Sequence, residues 1–147
     1  MMNNGLDDLY REIILDHNRN PRNYGSIQQD NVISIEEYNP LCGDRIVIYL
    51  TSNSSIVESV QFEGEGCSIS QASASIMTDL IIGTDILQTK KIIEQFHSFM
   101  VDNDDDSEYN QLGDIDALQG VRKFPARVKC ASLAWVSLEK AISSIDN

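Results

Sequence analysis

Three cysteines and one carboxylate hold the chemistry of this chain: Cys42, Cys67 and Cys130, with Asp44 two residues beyond the first thiol in Cys42-Gly43-Asp44. The nucleophilic and metal-binding form of cysteine is the thiolate, and unpaired N–H groups at a helix N-terminus favour it. Cys67 lies in Gly64-Glu65-Gly66-Cys67-Ser68-Ile69-Ser70-Gln71-Ala72-Ser73, where a strand exit runs into a helix of small residues. Cys130 is expected in the first turn of the last helix, with Arg127 and Lys129 adding positive charge beside it. Cys42 precedes Gly43, which frees the backbone to turn a side chain inward. A single free cysteine is often only core filling, but all three of these fall at element boundaries, where cores are seldom centred. An aspartate after a glycine is ordinarily a turn residue, and only the nearby cysteine makes Asp44 a ligand candidate. Together the four groups form a complete tetrahedral set with a charge of −4, leaving about −2 with Zn²⁺. Thiolates suit an iron–sulfur cluster equally well, so donor type leaves zinc and iron–sulfur both open. The spacing lacks the paired CxxC of a zinc ribbon, and three cysteines cannot complete a disulfide framework within the chain.

The elements that must bring these groups together can be read from periodicity. Leu6, Leu9, Tyr10, Ile13, Ile14 and His17 recur at helical spacing over residues 6–17, and Asn20-Pro21 must end that helix. Asn4 with Asp7 resembles a capping box. His17 is read as a helix-end residue bonding nearby carbonyls, with metal ligation as the sharper alternative. Strands are expected at Asn31–Tyr38, Arg45–Thr51 and Ile56–Glu63, with Ser52-Asn53-Ser54-Ser55 as a turn. Their short connections imply an antiparallel meander. Asp44 then enters the second strand beside the point where the third leaves towards Cys67. Helices follow at Ser68–Ile82, with Ile69, Ala72, Ile76 and Leu80 buried and serines on another face, and at Thr89–Met100. A short helix is expected at 115–118. The last element starts at Phe124-Pro125 and runs to Ile145 with Ala134, Leu138, Ala141, Ile142 and Ile145 inward. The acidic stretch Asp102–Glu108 reads as a solvated loop; it lacks the ligand pattern and glycine of an EF-hand calcium loop. The expectation is a single α+β domain over 1–147. It has a small three-stranded antiparallel sheet packed against about five helices, and the metal site lies at one end of the sheet.

With 147 residues and 41% hydrophobic content the chain can bury a core of its own. Its formal net charge of −12 argues against nucleic acid and against an anionic membrane surface as partners. No apolar run is long enough for a membrane span and no secretion signal is visible, so a cytoplasmic protein is expected.

The motifs also carry a resemblance. Leu9-Tyr10-Arg11-Glu12-Ile13-Ile14-Leu15-Asp16-His17 with Asn20-Pro21-Arg22-Asn23 resembles the opening of the U-type iron–sulfur assembly proteins, the IscU/NifU N-terminal/SufU family. Asn39-Pro40-Leu41-Cys42-Gly43-Asp44 is similar to that family's first ligand motif. Phe62–Ser75 is similar to its second, and Val128-Lys129-Cys130-Ala131 to its third. Lys129 stands where the IscU branch has a histidine, and Phe124–Lys129 departs from that branch's chaperone-recognition motif. These departures, with the longer segment between Cys67 and Cys130, resemble SufU. A SufU-like protein implies zinc, one per chain, held by Cys42, Asp44, Cys67 and Cys130. It also implies a SufS-type cysteine desulfurase as partner, together with other Suf assembly proteins. The IscU branch instead implies a scaffold for a [2Fe–2S] cluster on the same ligands. In the transfer role one ligand must leave the metal and attack a persulfide. Cys42, on a glycine-flanked loop, is the catalytic candidate, while Arg127 and Lys129 are candidates for orienting a partner or tuning a thiolate.

Overall fold

The computed structural model describes residues 4–41, 43–101 and 113–145. Cys42 and the acidic stretch Asp102–Glu108 lie outside them. The amphipathic N-terminal run forms α1 (Asn4–Arg19) and stops before Pro21 as required, with Asn20 N–H donating to the Asp16 carbonyl at 2.8 Å. The turn that follows lies against the sheet. Gly25 N–H donates to the Phe62 carbonyl at 2.8 Å, and Phe62 N–H donates to the Asn23 carbonyl at 3.0 Å.

The sheet contains β1 (Ile33–Asn39), β2 (Asp44–Asn53) and β3 (Ile56–Glu65), antiparallel in the order β1-β2-β3. The β2–β3 hairpin turns at Ser54 and Ser55, both at positive φ (54° and 68°), the geometry that matches the twist of the flanking strands. At the opposite end the register sets Asn39 across from Asp44, and Arg45 across from Glu65. That end carries the site.

Alternation along β2 and β3 sends Ile46, Ile48, Leu50, Val60 and Phe62 into the core, and the register shift between Thr51 and Ser52 brings Val57 in beside them. The helices that close over them are α2 (Ser68–Ile81), α3 (Ile86–Val101), a 3-10 helix at Gly113–Lys123 and α4 (Pro125–Ile145). Each large apolar side chain fully buried here contributes about 1.5–3 kcal/mol. Trp135 of α4, absent from the sequence-derived stripe, is completely buried and stacks on Phe96 of α3, with centroids 4.2 Å apart and planes 8° apart. Ile145 is only partly buried.

Three local expectations need correction. α3 starts three residues earlier than Thr89, because the Asp85 carboxylate accepts the Gln88 N–H at 2.7 Å and caps the helix there. The turn of helix foreseen at 115–118 is part of an eleven-residue 3-10 segment. The serines of α2 do not form a solvent face: Ser70, Ser73 and Ser75 are all buried. α2 is packed on several sides, and these hydroxyls are bonded inside. Ser73 donates to the Ala131 carbonyl at 2.6 Å, and the Trp135 indole N–H reaches Ser73 Oγ at 3.1 Å. Small residues let α4 approach closely, and the Ser73 and Ser75 hydroxyls find partners far away in sequence. Among the described residues no helix is long and apolar enough to cross a membrane.

Candidate metal centre

Asp44 is the first residue of β2 and is fully buried, which a carboxylate tolerates only with partners. Its Oδ1 accepts the Cys67 N–H at 2.9 Å, satisfying a donor at the N-terminus of α2, where negative charge is favoured. Its Oδ2 lies 3.7 Å from Cys67 Sγ. The approach depends on glycine. A β-carbon on Gly66 would stand 2.1 Å from Asp44 Oδ1, and one on Gly64 would stand 2.2 Å from the Arg45 carbonyl oxygen. Arg45, next in sequence to Asp44, turns to Glu36, whose carboxylate hydrogen bond holds the guanidinium above its ordinary pKa.

Cys67 is the N-cap residue of α2, but its side chain makes no capping hydrogen bond. The thiol is therefore left for the site, while the Cys67 carbonyl accepts from Gln71 N–H and Ser70 Oγ. Cys130 projects from α4 with 5% exposure. It is the sixth residue of that helix, one turn deeper than its sequence suggested, because Pro125 already occupies a helical position. Its own N–H thus belongs to the helix interior. The N-terminal effect expected for both cysteines holds by geometry for Cys67 alone.

Asp44, Cys67 and Cys130 each offer a ligand atom, and those atoms all lie within 4.8 Å of one another. Tetrahedral zinc, with bonds of about 2.3 Å to sulfur and 2.1 Å to oxygen, sets neighbouring donors about 3.6 Å apart. The 3.7 Å between Cys67 Sγ and Asp44 Oδ2 matches that separation. Two thiols and a carboxylate, with Asp44 and Cys130 buried and Cys67 partly so, fit a thiophilic divalent metal, and they come from three elements: the start of β2, the start of α2 and the second turn of α4.

The remaining sequence candidates divide. Cys42 lies outside the described residues, although its neighbours Leu41 and Gly43 are held by Asn39, as described below. Arg127 and Lys129 are exposed on α4, and the Arg127 guanidinium sits 6.0 Å from the Phe124 ring centre. His17 does not bond nearby carbonyls as expected. Its Nδ1 meets Ser75 Oγ at 2.7 Å and its Nε2 meets Asp114 Oδ2 at 2.8 Å, forming a separate buried cluster. Asn39 was missed as a site residue. The only signal was its place at the head of the Asn-Pro-Leu-Cys-Gly-Asp run.

Known proteins share the sequence and fold of this chain. The family model for the NifU-like N-terminal domain matches residues 9–144. The zinc-dependent sulfurtransferase SufU of Bacillus subtilis is 49% identical over 96% of this chain and 94% of its own length. The iron–sulfur cluster assembly scaffold protein IscU of Streptococcus pyogenes is 37% identical over 97% of this chain and 87% of its own. Among solved structures, a Fervidobacterium islandicum protein assigned as an iron–sulfur cluster assembly scaffold for the SUF system superposes with a TM-score of 0.81. It has 32% identity and covers 89% of this chain and 94% of that one.

Proposed function

The chain belongs to the family of NifU-like N-terminal domains, and from that premise we propose that it serves iron–sulfur cluster biogenesis as a zinc-dependent sulfur acceptor for a SufS-type cysteine desulfurase. The observation that carries the reading is the buried convergence of Asp44, Cys67 and Cys130. The name of the Bacillus subtilis relative supports both zinc and sulfur transfer. In this reading Asp44, Cys67 and Cys130 hold the metal with Cys42 as the fourth ligand, and the bound zinc keeps the thiols deprotonated and the three elements in register.

Cys42 is the acceptor. Its thiolate attacks the outer sulfur of a cysteine persulfide on the partner, and a new S–S bond forms at Cys42. The donor's S–S bond breaks and the donor cysteine leaves as a thiolate, while the transferred sulfur keeps its proton. Cys67 and Cys130 are pinned, one at a helix N-cap and one inside a helix, which suits them to staying in place. Gly43, at φ +72°, supplies the left-handed turn between Cys42 and the buried Asp44, so Cys42 is flanked by a glycine and not fixed in a helix. Arg127 and Lys129, exposed on α4, are the cations this reading assigns to orienting the partner or tuning a thiolate.

Elemental analysis of protein purified without added metal is expected to give about one zinc per chain, and addition of the protein is expected to stimulate the desulfurase strongly. Cys42→Ala should abolish that stimulation, and full stimulation by the variant would overturn the acceptor assignment. A second reading, a scaffold that assembles a [2Fe–2S] cluster and passes it on, is favoured by the name of the Streptococcus pyogenes relative. Anaerobic reconstitution giving a stable visible absorption and transfer to an apo-protein would select it over the first.

A further inference from the structure

Asn39 ends β1 and is 7% exposed, so its carboxamide needs partners inside the protein. Its Oδ1 accepts the Leu41 N–H at 3.2 Å, and its main-chain carbonyl accepts the Gly43 N–H at 2.8 Å. These are the two sequence neighbours of Cys42. From the same side chain, Nδ2 points at Cys130 Sγ at 4.0 Å, the outer limit for an N–H donor to sulfur. In the sheet register Asn39 stands opposite Asp44. One buried residue therefore touches the loop on either side of Cys42 and reaches the sulfur of a thiol fixed in α4.

We infer that Asn39 is a positioning residue of the metal centre, holding the Cys42 loop with its oxygens and restraining the Cys130 sulfur with its N–H. The inference rests on the zinc-site reading above and deepens it. A donor set carrying −4 gains from a neutral N–H turned towards one of its sulfurs. Such a bond draws charge from Cys130 and leaves it a poorer nucleophile. With the Cys130 sulfur restrained, Cys42 is the thiol that reacts in this reading, and Asn39 accepts the main-chain N–H on each side of it. A carboxylate at position 39 would reverse this contact, keeping an oxygen for Leu41 N–H while presenting a further negative charge to the sulfur.

The test is the rate at which a chromogenic chelator withdraws zinc from the metal-loaded protein, measured without any desulfurase. Asn39→Asp should keep its circular dichroism spectrum and release zinc about tenfold faster than the unsubstituted chain, as expected when an outer-shell partner of a ligand is lost. Asn39→Ser, which loses the amide without adding a charge, should fall between the two. Release within twofold of the unsubstituted chain by both folded variants overturns the inference. A measurement on the unsubstituted protein needs no variant: the Asn39 side-chain amide signals in a ¹⁵N spectrum should shift on zinc addition, and unmoved signals also overturn it. A chain that retains zinc through Asn39 yet accepts no sulfur would overturn the sulfur-acceptor reading alone.

Discussion

At Gly66 the backbone runs at φ +144°, and any β-carbon there would press on the Asp44 carboxylate and, at 3.0 Å, on the Asp44 Cα. Two costs then act together, because an L side chain is strained in that conformation and the displaced carboxylate loses the Cys67 N–H. Gly66→Ala should therefore destabilise the metal-free chain by about 2–3 kcal/mol in chemical denaturation and weaken zinc binding at least tenfold. Gly43→Ala is the natural comparison. Gly43 also has positive φ, +72°, but no atom lies within 4 Å of its added carbon, so its cost should be only about 1 kcal/mol. Equal effects at the two positions would show that the tight approach at Gly66 does not matter. The glycines just before Cys67, Gly64 and Gly66, were legible as places of close approach. What the residue types did not disclose is which atom each glycine makes room for, since that depends on the register between β2 and β3.

At the scale of elements, α2 is the piece on which the others are hung. Its N-terminus carries Cys67, and its buried hydroxyls bond α1, the turn after it, and α4. Ser75 Oγ accepts the Arg22 N–H at 2.8 Å and meets His17 Nδ1, while His17 Nε2 reaches Asp114. Since a carboxylate can only accept, the His17 Nε2–H donates to Asp114. Removing the buried ring leaves a cavity and takes one partner from the buried Ser75 hydroxyl and one from the half-exposed Asp114 carboxylate. His17→Ala should cost about 2–3 kcal/mol of stability but leave the zinc content of the purified protein near one per chain, because the cluster is separate from the donors. Loss of zinc in a folded His17→Ala protein would count against that separation. Periodicity revealed α2, α4 and all three strands because an apolar stripe records which face is buried. It could not reveal the buried serines or Trp135, whose partners lie about 60 residues away. The early start of α3 was visible in principle, as Asp85 stands three residues before Gln88, the spacing of an N-cap acid and its N3 residue. Cys130 was placed a turn too shallow because proline was read as preceding the helix rather than opening it.

For the molecule as a whole, the three described donors matter through their separation in sequence. Asp44, Cys67 and Cys130 sit on β2, α2 and α4, and 86 residues separate the first from the last. An unfolded chain seldom assembles such a set, so zinc held by it would bind the native state almost alone and its binding energy would add to folding. At free zinc one hundred times the dissociation constant this amounts to about 2.7 kcal/mol, and each further tenfold adds about 1.4 kcal/mol. For a chain of this length 1 kcal/mol moves the midpoint by roughly 2–4 °C, so chelation should lower Tm by about 5–10 °C from that reference condition. The midpoint should climb with the logarithm of free zinc in calorimetry at fixed pH. Asp44→Asn and Cys67→Ser should each flatten that climb, since either removes a charged donor from a set drawn from three elements. His17→Ala should lower the whole line and leave its slope intact. A midpoint indifferent to free zinc in the unsubstituted chain would mean that the three donors meet without binding metal, and the sulfur-acceptor reading would lose its foundation with them.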